Sequence, residues 1–213
     1  KYDIGKPGIS KLLPSKIDVI LHFAALSKTF VSNREANNQF FKNLKMTSSL
    51  IDLAISNKVG KFGFASSVYV YSGLNKIPFN ENNLTIPGEA LGASKISAES
   101  LIKMKAMEGC FQSIAYRIFT AYGPRCRKHQ FIPQAIKKIQ NTNSVVEFGS
   151  PRIKRDFIYI DDLAEAIVAT LKTSKAWNIF QPLNIGSGQA TPISDLIDII
   201  IELVESKKEI RYI

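Results

Sequence analysis

Cysteine, histidine and tryptophan are scarce in this chain, with two, two and one copies among 213 residues. Cys110 and Cys126 lack C-x-x-C spacing and a nearby histidine pair, which argues against a disulfide framework or a zinc site and leaves two reduced thiols. No apolar run reaches the roughly eighteen residues a membrane span needs, and the opening KYDIGKPGIS has no apolar h-region. A cytoplasmic location is the default expectation. Acidic residues are also few, 18 against 28 basic ones, for a formal charge of +10. The basic residues are spread, with short clusters at Arg125/Arg127/Lys128, Arg152/Lys154/Arg155 and Lys207/Lys208. No aromatic-interleaved basic stripe for stacking bases occurs, so nucleic acid fits poorly and a small phosphate-bearing ligand fits better. A last absence is the glycine-rich turn, G-x-G-x-x-G or G-x-x-G-x-x-G, that opens dinucleotide-binding sheets. GSGQATP at 186–192 is too short and follows the wrong elements. Either the chain binds no dinucleotide, or its first βαβ unit lies outside it.

What is present is an ordinary globular composition, 45% hydrophobic and 22% charged, with strand and helix periods in alternation. IDVILHFA (17–24) is a nearly continuous apolar run, as in a strand buried on both faces. Residues 33–57 carry Phe40, Phe41, Leu44, Leu50, Ile51 and Ala54 at helical spacing, with Asn33 as the expected N-cap. A strand at KFGFAS, a loop rich in Asn, Pro and Gly (72–89), a helix over 89–107 and a strand at QSIAYRIFTAY follow. Beyond YGP come a helix at FIPQAIKKIQ, strands at VVEFG and DFIYI, and a helix at DDLAEAIVATLKT capped by Asp161. A strand and turn at NIGSG and a helix at TPISDLIDIIIELVESK, with Pro192 near its first turn, complete the order. The alternation predicts the α/β class with a doubly wound parallel sheet.

Two neighbouring segments carry the chemistry. FGFASSVYVYSG (62–73) is an apolar strand ending in paired serines, and LGASK (91–95) opens a helix with a lysine four residues after Leu91. With DI (3–4), HFAAL (22–26), NLKMT (43–47), PFNE (78–81), YRIFTAYGPR (116–125), RDFIYIDDLAEA (155–166) and NIGSG (184–188), they resemble in order the extended short-chain dehydrogenase/reductase family. The resemblance is to its NAD-dependent sugar-nucleotide epimerases and dehydratases, UDP-sugar 4-epimerases nearest, and covers essentially the whole chain. It implies a Rossmann-like sheet without its first βαβ unit, with both ends truncated relative to a full-length member. It also implies a dinucleotide-binding domain over 1–122, completed by about 155–182, and a partial sugar-nucleotide-binding domain from 123–154 and 183–213.

The implied reaction is epimerisation of a nucleotide-activated sugar through transient hydride transfer to NAD, with NADP left open. In the family a Tyr takes the hydroxyl proton, its phenol pKa lowered by a Lys one helical turn on, while a Ser holds the hydroxyl. Ser67 and Lys95 fall at the Ser and Lys positions, and Leu91 falls at the Tyr position. Leucine cannot exchange a proton. Tyr69 is the substitute base this sequence offers, because Ser67, Tyr69 and Tyr71 would share one face of an extended strand. Its alternative role is to fill the space the lost phenol leaves.

By the same resemblance the cofactor-binding residues are Asp3, Ile4, Phe23, Ala24, Ala25, Asn43, Ser66, Lys95 and Phe119. The substrate-binding ones are Lys28, Ser67, Thr120 and Arg155, and no metal is implied. Plainer readings stand beside these: a solvated Asp3, core positions for Phe23 to Ala25, an exposed loop Lys28, a helix-surface Asn43, and an Arg155 ion-paired with Asp156 or Asp161. His22 and His129 read as structural or exposed. The rivals are a non-catalytic protein that keeps the fold to bind a sugar nucleotide or a partner, which Leu91 favours, and a 4,6-dehydratase. The latter needs an acidic residue beside a Thr, which SSVYVYS lacks. The expected partners are the nucleotide sugar and a second copy of the chain, docked through helices 33–57 and 89–107.

Overall fold

The computed structural model describes residues 4, 13–14, 16–28, 32–71, 73, 76–141, 145–173 and 177–213. Asp3 lies outside them. The chain divides into two compact units, Lys1–Ile118 with Thr173–Asn184, and Phe119–Lys172 with Ile185–Ile213. By compactness, then, residues 155–172 belong to the second unit, and a shorter segment than 155–182 completes the first.

In the first unit β1 (Val19–His22), α1 (Asn33–Ser56), β2 (Lys61–Ser67), α2 (Ala90–Met107) and β3 (Gln112–Ile118) follow one another. The strands stand in the order β1-β2-β3-β7, with β7 at Phe180–Ile185. β1 with β2 and β2 with β3 are parallel, which the intervening helices permit as crossovers. Phe62 and Phe64 of β2, Ile51 of α1 and Ile102 of α2 are at most 2% exposed. Burying each such side chain contributes about 1.5–3 kcal/mol, and this core fixes the sheet edge from which the loops after β1 and β2 depart.

Local chemistry sets the element ends. α1 begins at Asn33, but its N-cap is Ser32 rather than Asn33: Ser32 Oγ accepts from Glu35 N at 3.3 Å and Glu35 Oε2 accepts from Ser32 N at 3.1 Å, a closed capping box. The strand expected at KFGFAS runs to Ser67 and does not continue to Tyr71: the Ser67 hydroxyl accepts from Tyr69 N at 3.3 Å and starts a 3-10 turn, Val68–Val70. The alternation that would have placed Ser67, Tyr69 and Tyr71 on one face is therefore broken. Gly92 lets α2 approach that turn closely, since a Cβ there would lie 2.1 Å from the Tyr69 carbonyl oxygen.

In the second unit the segment expected as one strand through Tyr122 restarts as β4 (Thr120–Tyr122). β4 pairs in parallel with β6 (Lys154–Tyr159), and β6 pairs antiparallel with β8 (Ala190–Pro192). The helix α4 (Ile160–Lys172) has Asp161 in its first turn instead of as its cap, where its charge suits the helix dipole. A separate core joins α3 (Phe131–Asn141), β5 (Val146–Phe148), α5 (Ile193–Leu203) and β9 (Ile210–Tyr212), with Ile139, Val146 and Ile197 fully buried.

Candidate functional site

Lys95 is 6% exposed on α2, and its Nζ donates to the Ala65 carbonyl of β2 at 2.6 Å while lying 4.8 Å from the Phe64 ring centroid. Burial pulls its pKa down to about 8, and the neighbouring Glu99 charge offsets only part of this. His22, at the end of β1, donates from Nε2 to Thr47 Oγ1 at 3.0 Å, because the Thr47 hydroxyl itself donates to Asn43 O at 3.1 Å. Nδ1 is then left without a partner among the described residues. Burial, and secondarily the Lys95 charge, lower the His22 pKa to about 4, so the ring is neutral and structural.

The loop after β1 is gripped by α1. Asn43 accepts from Leu26 N at 2.8 Å and donates to Leu26 O at 2.9 Å and Ser94 Oγ at 3.2 Å, which makes it a buried brace between loop, α1 and α2. One turn earlier Gln39 Oε1 accepts from Lys28 N at 3.2 Å, and a turn before that Glu35 pairs with Lys28 Nζ at 3.4 Å. Phe23 and Ala24 are exposed on this loop, and Phe23 stacks on Tyr116 with centroids 6.3 Å apart. Lys28 is exposed.

Leu91 is 5% exposed, one helical turn before Lys95, with its carbonyl accepting from Ser94 Oγ at 2.8 Å. Tyr69 is 36% exposed on the 3-10 turn. Tyr71 is buried, its hydroxyl donating to Asn184 Oδ1 at 2.7 Å and accepting from Arg117 Nη1 at 3.0 Å. The Ser66 hydroxyl points into the interior and donates to Glu99.

That last contact belongs to a network missing from the sequence reading. Arg117 Nη2 meets Glu99 Oε2 at 2.8 Å with both side chains at most 5% exposed, and Arg117 also donates to Glu81 O at 3.1 Å. Glu81 Oε1 in turn accepts from Asn184 N at 2.8 Å. The signal lay in two charges inside apolar patterns, Arg117 in QSIAYRI and Glu99 on the inner face of α2, since such charges are almost never buried unpaired.

In the second unit Phe119 is half-buried and its N–H donates to Ile185 O at 2.9 Å, next to Thr120 at the start of β4. Arg155 is exposed on β6 opposite Thr191. The ion pair weighed for it with Asp156 is not formed: the Asp156 carboxylate accepts from Ser187 N at 2.7 Å, Ser187 Oγ at 2.8 Å and Gly188 N at 2.9 Å. Gly186 has no room for a side chain there, because a Cβ would lie 2.6 Å from Asp156 Oδ2. Asp156 thus clasps the NIGSG turn and leaves the guanidinium beside it without an ion pair among the described residues.

The buried Lys95 and Ser67, which caps the 3-10 turn, lie beside the carboxyl end of parallel strand β2, the end at which open α/β sheets bind ligands. The family model for the NAD dependent epimerase/dehydratase family matches residues 3–186, and the chain belongs to that family, within the extended short-chain dehydrogenase/reductases. It is 34% identical over 188 residues to a dTDP-4-dehydro-6-deoxyglucose reductase of Escherichia coli, covering 87% of this chain and 55% of the relative. A dTDP-D-glucose 4,6-dehydratase of Homo sapiens is 29% identical over 89% of this chain and 53% of its own length. The solved UDP-glucuronic acid 4-epimerase of Bacillus cereus, in complex with UDP-glucuronic acid and NAD, superposes with a TM-score of 0.88 at 29% identity, covering all of this chain and 67% of that one. The chain spans about half the length of these two curated relatives. No helix among the described residues is long and apolar enough to cross a membrane.

Proposed function

We propose that this chain forms the core of an NAD-dependent nucleotide-sugar epimerase of the UDP-sugar 4-epimerase type, slowed at its proton-transfer step by Leu91. The observation that carries this reading is the buried Lys95 on α2, anchored to Ala65 O one helical turn from Leu91, with Ser67 at the end of the adjoining strand. These residues fit a nicotinamide nucleotide at its sugar end. Lys95 is a buried ammonium whose helical neighbour Glu99 is bound to Arg117 and Ser66, and the Ser67 O–H donates to no acceptor among the described residues. Both leave protons for ribose or sugar hydroxyls.

NAD, when bound, supplies the hydride acceptor. Ser67 holds the reacting hydroxyl. Lys95 provides the local positive charge that favours an alkoxide over an alcohol. Asn43 holds the loop of Phe23, Ala24 and Ala25, which would line the cofactor, Ile4 would serve its adenine end, and Ser66 would contribute through Glu99. Within the second unit, Phe119 and Thr120 would be offered to nicotinamide and sugar, and Arg155 would suit a diphosphate through its planar fork; within the first, Lys28 would give up Glu35 for a phosphate. Tyr69, half-turned to solvent, is the phenol left to replace the lost one. The outer faces of α1 and α2, with Phe41, Met104 and Met107 exposed, are the surfaces for a second copy.

The second reading is a non-catalytic nucleotide-sugar binder, and Leu91 is what favours it. Both readings require the diphosphate to bind. Calorimetric titration of UDP into the chain is expected to show saturable binding that Arg155→Ala weakens about tenfold or more, the loss of a bidentate charged contact. Equal binding by both forms contradicts the assignment of Arg155.

A further inference from the structure

Glu99 follows Lys95 by one helical turn, yet its carboxylate serves another part of the site. It accepts from Ser66 Oγ, from Arg117 Nε at 3.2 Å and from Arg117 Nη2 at 2.8 Å. Arg117 Nη1 reaches the Tyr71 hydroxyl at 3.0 Å. Ser66 and Tyr71 flank Ser67–Val70, so both ends of the 3-10 turn hang from one buried ion pair. Such a pair adds little net stability over an apolar packing of the same shape, and fixing a single geometry is the use it serves best. Ser67 Oγ accepts from Tyr69 N at 3.3 Å, which directs a lone pair into the turn, and its proton has no acceptor among the described residues.

We propose that Glu99 is a positioning residue for Ser67: through Ser66 at one end of the turn and Arg117–Tyr71 at the other, it sets the direction in which the Ser67 hydroxyl meets a sugar hydroxyl. This rests on the nucleotide-sugar reading above, and it places the effect of Glu99 at the sugar end of the ligand and not at its nucleotide.

The test compares wild type, Ser66→Ala and Glu99→Gln in the full chain, with Trp177 fluorescence confirming that each is folded. Hydrogen exchange of the peptide covering 66–71 is expected to rise at least about fivefold in both variants, with α1 peptides unchanged, as for a locally loosened segment. Calorimetry is expected to show UDP-glucose binding weakened about three- to tenfold, the range of one hydrogen bond, while UDP binding stays within about twofold. Unchanged exchange at 66–71, or parallel losses for UDP and UDP-glucose, overturns the proposal. If Glu99→Gln unfolds, Ser66→Ala decides alone, since it removes one hydroxyl and leaves the Arg117–Glu99 pair intact. If wild type binds neither UDP nor UDP-glucose, the nucleotide-sugar reading fails, and the exchange result by itself decides whether Glu99 holds the turn.

Discussion

Leu91→Tyr is expected to raise 4-epimerisation of UDP-glucose by about 10²- to 10⁴-fold over the wild-type chain, the usual contribution of one positioned acid/base group. The substitution puts a phenol on α2 four residues before Lys95, on the same helical face and within reach of its charge. That cation favours the phenolate, so turnover should rise with pH as the phenol loses its proton and stop rising once Lys95, with its pKa lowered to about 8, loses its charge. Leu91 is only 5% exposed, and the larger ring must repack against its surroundings at a cost of about 1–3 kcal/mol. A modest fall in thermal midpoint is therefore expected together with the gain in rate. A folded Leu91→Tyr chain that binds UDP-glucose and turns it over no faster than wild type would support the non-catalytic reading instead.

Lys95→Met is expected to stabilise the protein. A pKa lowered from 10.5 to about 8 means that the buried ammonium destabilises the native state by about 3 kcal/mol at neutral pH. Removing it also deprives Ala65 O of a charged donor, which takes back about 1–2 kcal/mol. The net gain of about 1–2 kcal/mol corresponds to a midpoint about 2–8 °C higher for a chain of this size. Between about pH 8 and 10.5 the unfolded wild-type chain binds one more proton than the native one, so wild-type stability climbs with pH there while that of the variant stays flat. Unfolding followed by Trp177 fluorescence at pH 7 and pH 10 reads both effects. A destabilised variant at pH 7 would mean that Lys95 serves the fold. A stabilised one that no longer binds NAD marks a residue kept for a ligand, the trade between stability and function found at active sites.

The elements with one strong period were legible in the sequence. β2 was legible as a strand and is buried along most of its length, and α1 was legible from its helical spacing; β1, read as buried on both faces, is instead the end strand of its sheet, with Leu21 39% exposed and only His22 buried among its residues. Capping was legible but misassigned: Ser32 and Glu35 spell the capping box, and Asn33 stood one residue too late. VYVY has every mark of a strand, yet the Ser67 side chain offered the backbone a local bond that ended it. The three-residue strands β8 and β9 went unforeseen, being too short to show a period. Of the site, Ser67, Lys95 and the vacant phenol position were visible as a motif. The pairing of Arg117 with Glu99, 18 residues away, depends on how β3 lies beside α2 and could be suspected only from charges in apolar surroundings. Arg155 was singled out as a diphosphate ligand on the resemblance alone; the clasp that engages Asp156 elsewhere spans 31 residues and could not be read from the sequence.

The most direct test is to saturate the wild-type chain with NAD, titrate UDP-glucose by calorimetry, and measure UDP-galactose in the same sample after prolonged incubation. Saturable binding with only trace conversion, raised by Leu91→Tyr, is the predicted result. A folded chain that gives no heat with UDP-glucose, or a wild type that epimerises as fast as Leu91→Tyr, would contradict it.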